Sequence, residues 1–161
     1  MEAVAAVLGA RDEVEAVYRA DAERLWRAVY AYAGDVETAN DAVAEAYAQL
    51  LRRGPAVRDP AAWVWRTAFR IAAGALKARR AGDPLGPREG DPHIDRYADA
   101  DLLAALRELS DSQRAAVILF YYADLPVREI AARLGSNGLA VRANLSRGRA
   151  RLRTLLGDRR G

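Results

Sequence analysis

Between Leu139 and Gly157 the chain carries Arg142, Arg147, Arg149, Arg151 and Arg153 and not one acid. A guanidinium is planar, always charged and forked, so it can bond phosphate or the edge of guanine through two donors at once. Asn144, in the same stretch, has the donor and acceptor that pair with adenine. Placed on a helix, Val141, Leu145, Gly148, Leu152 and Leu155 form one inward stripe, spaced i, i+4, i+7, i+11 and i+14. Arg142, Ala143, Asn144, Ser146, Arg147, Arg149, Arg151 and Arg153 fall outside it. A solvated amphipathic helix would normally mix acids with its bases. This one has the chemistry of a helix that lies on nucleic acid.

The elements that position this helix are legible upstream. Val127, Ile130, Ala131 and Leu134 make a short helix, a break follows at Gly135, and Asn137 is placed to cap the long helix. A short helix, a tight turn and a second, exposed helix is the helix-turn-helix arrangement. Before it, Ser110 and Gln113 have capping-box spacing ahead of Ala116, Val117, Leu119 and Phe120, and Asp101 is placed to cap Leu102–Glu108.

The first part of the chain reads as three further helices. Val14, Val17, Tyr18, Leu25, Val29 and Tyr32 recur at helical spacing up to Gly34. Asp35 opens the next stripe, Ala39, Ala42, Val43, Ala46, Tyr47 and Leu50, which Gly54-Pro55 stops. Asp59-Pro60 is a cap followed by proline at the first helical position. The helix it starts carries Trp63, Val64, Thr67, Ala68, Ile71 and Ala75 and runs to Arg79-Arg80, with Gly74 as a point of close packing or a kink. No segment alternates with period two long enough to argue for a strand. The expected fold is all-α: a helical domain over 1–80, a flexible acidic Pro/Gly-rich linker over 81–101, and a helix-turn-helix domain over 102–161.

Charge is segregated in the same way. Residues 1–51 are net −6, residues 52–80 net +7, residues 81–101 net −4 and residues 102–161 net +6. Alternating blocks in a chain of net charge +3 suggest several faces with different partners. With no cysteine, and with one histidine, His93, placed in a loop, no metal, cofactor or catalytic role is expected, and the chain is not expected to be an enzyme. The longest apolar run, Ala115–Ala123, falls far short of the roughly 20 residues that span a bilayer. No membrane insertion and a cytoplasmic, nucleoid-associated location are expected.

The stretch "LRELSDSQRAAVILFYYADLPVREIAARLG…VRANLSRGRARL" resembles the C-terminal DNA-binding region of bacterial RNA polymerase sigma factors of the extracytoplasmic-function class, within the sigma-70 family. Leu109, Gln113-Arg114, Tyr121, Leu125, Glu129-Ile130-Ala131, Leu134-Gly135, Val141 and Leu145 carry the likeness. "VYRADAERLWRAVYAYAGDVETANDAVAEAYAQLL" and "PAAWVWRTAFRIA" are similar to the other conserved region of that family, so that about residues 13–80 and 102–156 are covered. The resemblance implies a factor that binds polymerase core at its clamp and flap, reads double-stranded promoter DNA and a melted non-template strand, and promotes initiation without cofactor. An anti-sigma factor is a further implied partner. It assigns core binding to Asp41 and Glu45, and minus-ten contact to Arg58, Trp63, Arg66, Arg70, Lys77, Arg79 and Arg80, with Trp63 and Trp65 as stacking candidates of which at least one is expected in the core instead. Minus-thirty-five contact goes to Arg142, Ala143, Asn144, Ser146, Arg147, Arg149 and Arg151. The acidic linker would follow a positively lined RNA channel, or serve as a plain solubilising tether. Ala44, Arg70, Gly74, Ser136 and Gly138 depart from the residues usual in the family, the last two implying a looser turn. A stand-alone helix-turn-helix regulator and a sigma-like interaction protein without initiation activity are the alternatives.

Overall fold

The computed structural model describes residues 1–82 and 100–160, and these contain seven α-helices and no strand. They are α1 (Glu2–Ala33), α2 (Val36–Arg53), α3 (Pro60–Gly82), α4 (Ala100–Arg107), α5 (Asp111–Val117), α6 (Val127–Leu134) and α7 (Gly138–Arg160). The chain is all-α, as its periodicity predicts. His93 and most of the linker expected over 81–101 lie outside the described residues. At the margins of that span, Ala81–Gly82 close α3 and Ala100–Asp101 open α4. Asp101 therefore lies inside the first turn of α4 rather than preceding it.

Local signals account for most helix ends. The Asp35 carboxylate accepts from the backbone N–H of Glu37 at 3.0 Å and of Thr38 at 3.3 Å. Such a bond satisfies one of the donors a helix start leaves unpaired. Gly34, at φ 78°, ends α1 in the left-handed region that glycine enters without steric cost. Asp59 accepts from the N–H of Ala62, and both bonds of the Ser110–Gln113 capping box form. Two features went unread. α1 starts twelve residues earlier than its buried stripe, because Glu2–Glu13 is rich in alanine and stays helical while exposed. α5 widens into a π turn over Ile118–Tyr122, with the Ala123 N–H reaching back to the Ile118 carbonyl at 3.2 Å.

α1, α2 and α3 pack around Leu25, Ala28, Val29, Ala42, Ala46, Leu50, Val64, Trp65 and Ala68, all essentially without solvent contact. The alanines let the helix axes approach, while Leu25 and Leu50 each contribute roughly 1.5–3 kcal/mol by burial. α4 to α7 pack around Leu119, Ile130, Val141 and Leu145. The two groups touch where α1 meets α4 and α5, and where α3 meets α6. Gly74 is exposed on α3, with nothing within 4 Å of where a Cβ would sit, so it marks no close packing.

Candidate nucleic-acid interface

The turn before α7 is tightly bonded. Gly135 takes φ 64°, the N–H groups of Gly135 and Ser136 both reach the Ala131 carbonyl, and Asn137 accepts from Ala140 at 2.9 Å. The looser turn implied by Ser136 and Gly138 is not seen. Gly138 instead leaves room beside the Arg142 guanidinium, 3.5 Å from where its Cβ would be. Val141 and Leu145 are buried, as is Gly148, and Leu152 is partly buried, so the predicted stripe is the inward face.

Arg142, Ser146, Arg147, Arg151 and Arg153 are exposed, with Ala143 and Asn144 half-buried beside them. This is one continuous cationic face. Arg149 is turned aside: its Nε donates to the Leu145 carbonyl at 3.3 Å, and its guanidinium sits 5.7 Å and 5.8 Å from the Phe120 and Tyr121 rings. Its position outside the apolar stripe could not reveal that aromatic contact, because the rings belong to another element.

The residues expected at the minus-ten element separate into two kinds. Arg58, Arg66, Arg70 and Lys77 are exposed. Trp63 is half-buried in a cleft of about 310 Å³ with Arg58, Arg66 and Arg53, whose guanidinium lies 5.7 Å from the Trp63 ring. Arg53 was missed; its only signal is its place in the last turn of α2, ahead of Gly54-Pro55. Trp65 is 1% exposed, and its indole N–H donates to the Asp21 carboxylate, so it is a core residue and no stacking platform. Arg79 donates to Asp35 and to the Thr38 hydroxyl, and Arg80 donates to Asp111 on α5.

The Asp35 cluster makes a stability prediction. Burial pushes the Asp35 carboxyl up, but hydrogen bonds from Thr38 and Arg79 outweigh that and hold it below its ordinary value. A depressed carboxyl adds stability above the unfolded-chain pKa of about 4, and that share is lost as pH falls through the lower folded value. Asp35→Ala removes the cap of α2 and leaves Arg79, with its side chain 20% exposed, without its carboxylate, costing about 2–3 kcal/mol at neutral pH. The Tm gap to wild type is expected to narrow below about pH 4. A gap independent of pH would show that the loss does not depend on the ionised Asp35 carboxylate.

The surface expected to meet polymerase core lies on α2. Asp41 and Glu45 are exposed one turn apart. Gln49 and Arg52 donate to Glu45 at 3.0 Å and 2.9 Å, holding its carboxyl below the ordinary value. Beside them runs a groove of about 750 Å³ lined by Tyr18, Val43, Ala44, Tyr47 and Leu51. Tyr47 hydroxyl is buried and unpaired, and burial pushes its pKa up to about 12.

This architecture has known counterparts. Residues 99–152 match the family Sigma-70, region 4. The ECF RNA polymerase sigma factor SigK of Mycobacterium sp. (strain KMS) is 26% identical, over 91% of this chain and 84% of that protein. The ECF RNA polymerase sigma factor BldN of Streptomyces coelicolor is 28% identical, over 93% of this chain and 62% of that protein. Among solved structures, the sigma factor RpoE in complex with the anti-sigma factor NepR from Bartonella quintana has the same fold. It shows a TM-score of 0.76 and 21% identity, over 91% of this chain and 96% of that one. CnrH in complex with the cytosolic domain of CnrY gives 0.75 and 20%, over 97% and 95%. Residues 99–152 thus carry a Sigma-70 region 4, and over most of its length the chain is similar to RNA polymerase sigma factors of the extracytoplasmic-function class.

Proposed function

We propose that this chain binds core RNA polymerase through α2, presents α3 to the minus-ten element and places α7 in the major groove of the minus-thirty-five element. The observation that carries this reading is α7 itself: a helix without an acid from Gly138 to Gly157, capped at Asn137, whose exposed face is a row of arginines while Val141 and Leu145 are buried. In this division residues 1–80 serve core and minus-ten binding, 102–161 serve minus-thirty-five binding, and 81–101 join them. Trp63, with Arg53, Arg58 and Arg66 around it, suits a single unpaired base. Lys77 and Arg70 suit phosphates of the same strand. No described helix is long and apolar enough to cross a membrane; action at the nucleoid follows from the proposed role.

An anti-sigma partner has its own support. An apolar groove of about 680 Å³ lies between α1 and the α4–α5 pair, lined by Trp26, Tyr30, Leu102, Leu106, Ile118 and Tyr121. It suits the apolar face of a helix.

Run-off transcription by purified core on fragments of the source genome, with and without this protein, tests the function; no protein-dependent transcript would sink it. Within it, Arg142→Ala and Arg147→Ala are each expected to cost ~1–3 kcal/mol and to relax preference at one base pair. Arg151→Ala should weaken all sequences alike and lower the salt slope by about one. Selection from a randomised minus-thirty-five library separates them. An unchanged consensus in all three variants would mean these arginines do not read bases.

A further inference from the structure

The cationic face of α7 has an uncharged centre. Leu139, the second residue of the helix, is 79% exposed, and among the described large apolar side chains only Met1 at the chain start exceeds it. A scattered surface leucine needs no explanation. This one has a defined place on its helix. At about 100° per residue, Val141, Gly148 and Leu152 of the inward stripe lie about 140–180° round from Leu139, which therefore points away from the core.

Ala143, Ser146 and Ala150 fall within about 40° of Leu139, so the middle of the outward face is a narrow spine at i, i+4, i+7 and i+11. Arg142 borders this spine on one side, Arg147 and Arg151 border it on the other, and Arg153 closes it beyond Ala150. A recognition helix held in the major groove by cations on both flanks brings its central spine nearest the base edges. Alanine and serine keep that spine thin. Leu139 is the one long apolar side chain on it.

The chemistry of the groove then selects what Leu139 can meet. Base edges in the major groove are hydrogen-bond donors and acceptors, with one methyl group among them, on C5 of thymine. Covering a polar edge with leucine leaves it without a partner, which is costly, whereas covering the methyl removes apolar surface from water. The neighbouring cation is well placed for an adjoining base pair. Gly138 has no side chain, and Arg142 Nη1 lies 3.5 Å from where its Cβ would be, which lays the guanidinium against the first turn of α7.

We infer that Leu139 is a specificity-determining residue, covering the C5-methyl of a thymine in the minus-thirty-five element beside the base pair that Arg142 reads. The inference rests on the minus-thirty-five assignment above and adds an apolar contact to the arginine ones. Its ligand is a C5-methylated pyrimidine, so 5-methylcytosine in place of that thymine offers the same methyl.

The probe is a labelled duplex carrying the sequence that the full chain selects from a randomised minus-thirty-five library, with binding read by anisotropy. Each thymine is replaced in turn by deoxyuridine, which lacks only the methyl. At one position wild type should bind the deoxyuridine duplex about fourfold more weakly, the effect of one methyl left uncovered. Leu139→Ala should bind that pair of duplexes equally, since the loss requires both the leucine and the methyl. The variant should keep the wild-type salt slope, because no phosphate contact is removed, and the wild-type Tm, because the side chain is exposed. Methyl dependence that persists in Leu139→Ala belongs to another residue and overturns the inference. So does a variant that binds both duplexes as wild type does yet loses transcription on thymine and deoxyuridine templates alike, which would place Leu139 against polymerase. The arginine variants separate the two levels. A selected sequence that changes in Arg142→Ala or Arg147→Ala, with no position sensitive to deoxyuridine, sinks the inference and leaves the minus-thirty-five assignment standing. If wild type selects no sequence, the assignment fails and takes the inference with it.

Discussion

Reversing Asp41 and Glu45 to arginine is expected to abolish binding to core RNA polymerase while leaving helical content and Tm nearly unchanged. Both side chains are exposed on α2, so neither holds the core together. The bond from Arg52 to Glu45 joins two largely solvated groups, with side chains 63% and 48% exposed, so losing it leaves the stability of the fold close to unchanged. At an interface the same charges act differently. Removing one member of a desolvated charge pair costs about 2–5 kcal/mol, and a like charge in its place adds repulsion. Two reversals at about 2 kcal/mol each already amount to roughly a thousandfold in affinity. Competition with a known sigma factor for purified core measures it. Retained core binding would remove the docking role from this face, whereas a collapsed Tm would show that the pair serves the fold.

Gly148→Leu should unfold the α4–α7 half. A Cβ at position 148 would lie 2.9 Å from Val117 Cγ2 and 3.6 Å from Gln113 Cβ and the Gln113 carbonyl oxygen. Val117 is buried and β-branched, so it has little room or rotamer freedom to withdraw. Gly148→Ala sets about 1 kcal/mol of helix propensity gained against about 1–3 kcal/mol of overpacking, a small net loss. Leucine adds three more carbons at the same contact and exceeds what the packing of α5 on α7 can absorb. Pairing Gly148→Ala with Val117→Ala separates the causes. If the contact is responsible, the double variant recovers about 1–2 kcal/mol relative to additivity. Denaturant melts of the four proteins of the cycle measure this, and strict additivity would place the defect elsewhere.

The two predictions differ in how far the sequence carries them. Asp41 and Glu45 were legible because exposure follows from helical phase: Ala39, Ala42, Val43 and Ala46 fix the buried side of α2, and the acids fall opposite. Gly148 was legible as a member of an inward stripe, but not as the point where α5 comes closest. The same limit applied to the tryptophans. Trp63 and Trp65 are two residues apart on one helix, and only the packing of α3 against α1 shows that Trp65 is enclosed with Asp21 while Trp63 faces a cleft.

Read alone, the sequence determined what depends on neighbours along the chain. Apolar spacing set the number and phase of the helices beneath their stripes. Asp35, Asp59, Ser110 and Asn137 placed the helix starts, since a cap acts within three residues of itself. The order of the charge blocks separated the acidic surface from the basic ones. Tertiary structure decided which cations are free. Arg79 is bound to Asp35, 44 residues away, Arg114 to the Tyr32 carbonyl, 82 away, and Arg24 to the Ala123 carbonyl, 99 away. An arginine reads the same in sequence whether it faces water, a carboxylate or a ring. Its side chain reaches several ångströms from the backbone, so its partner is set by whatever element the fold brings within that reach.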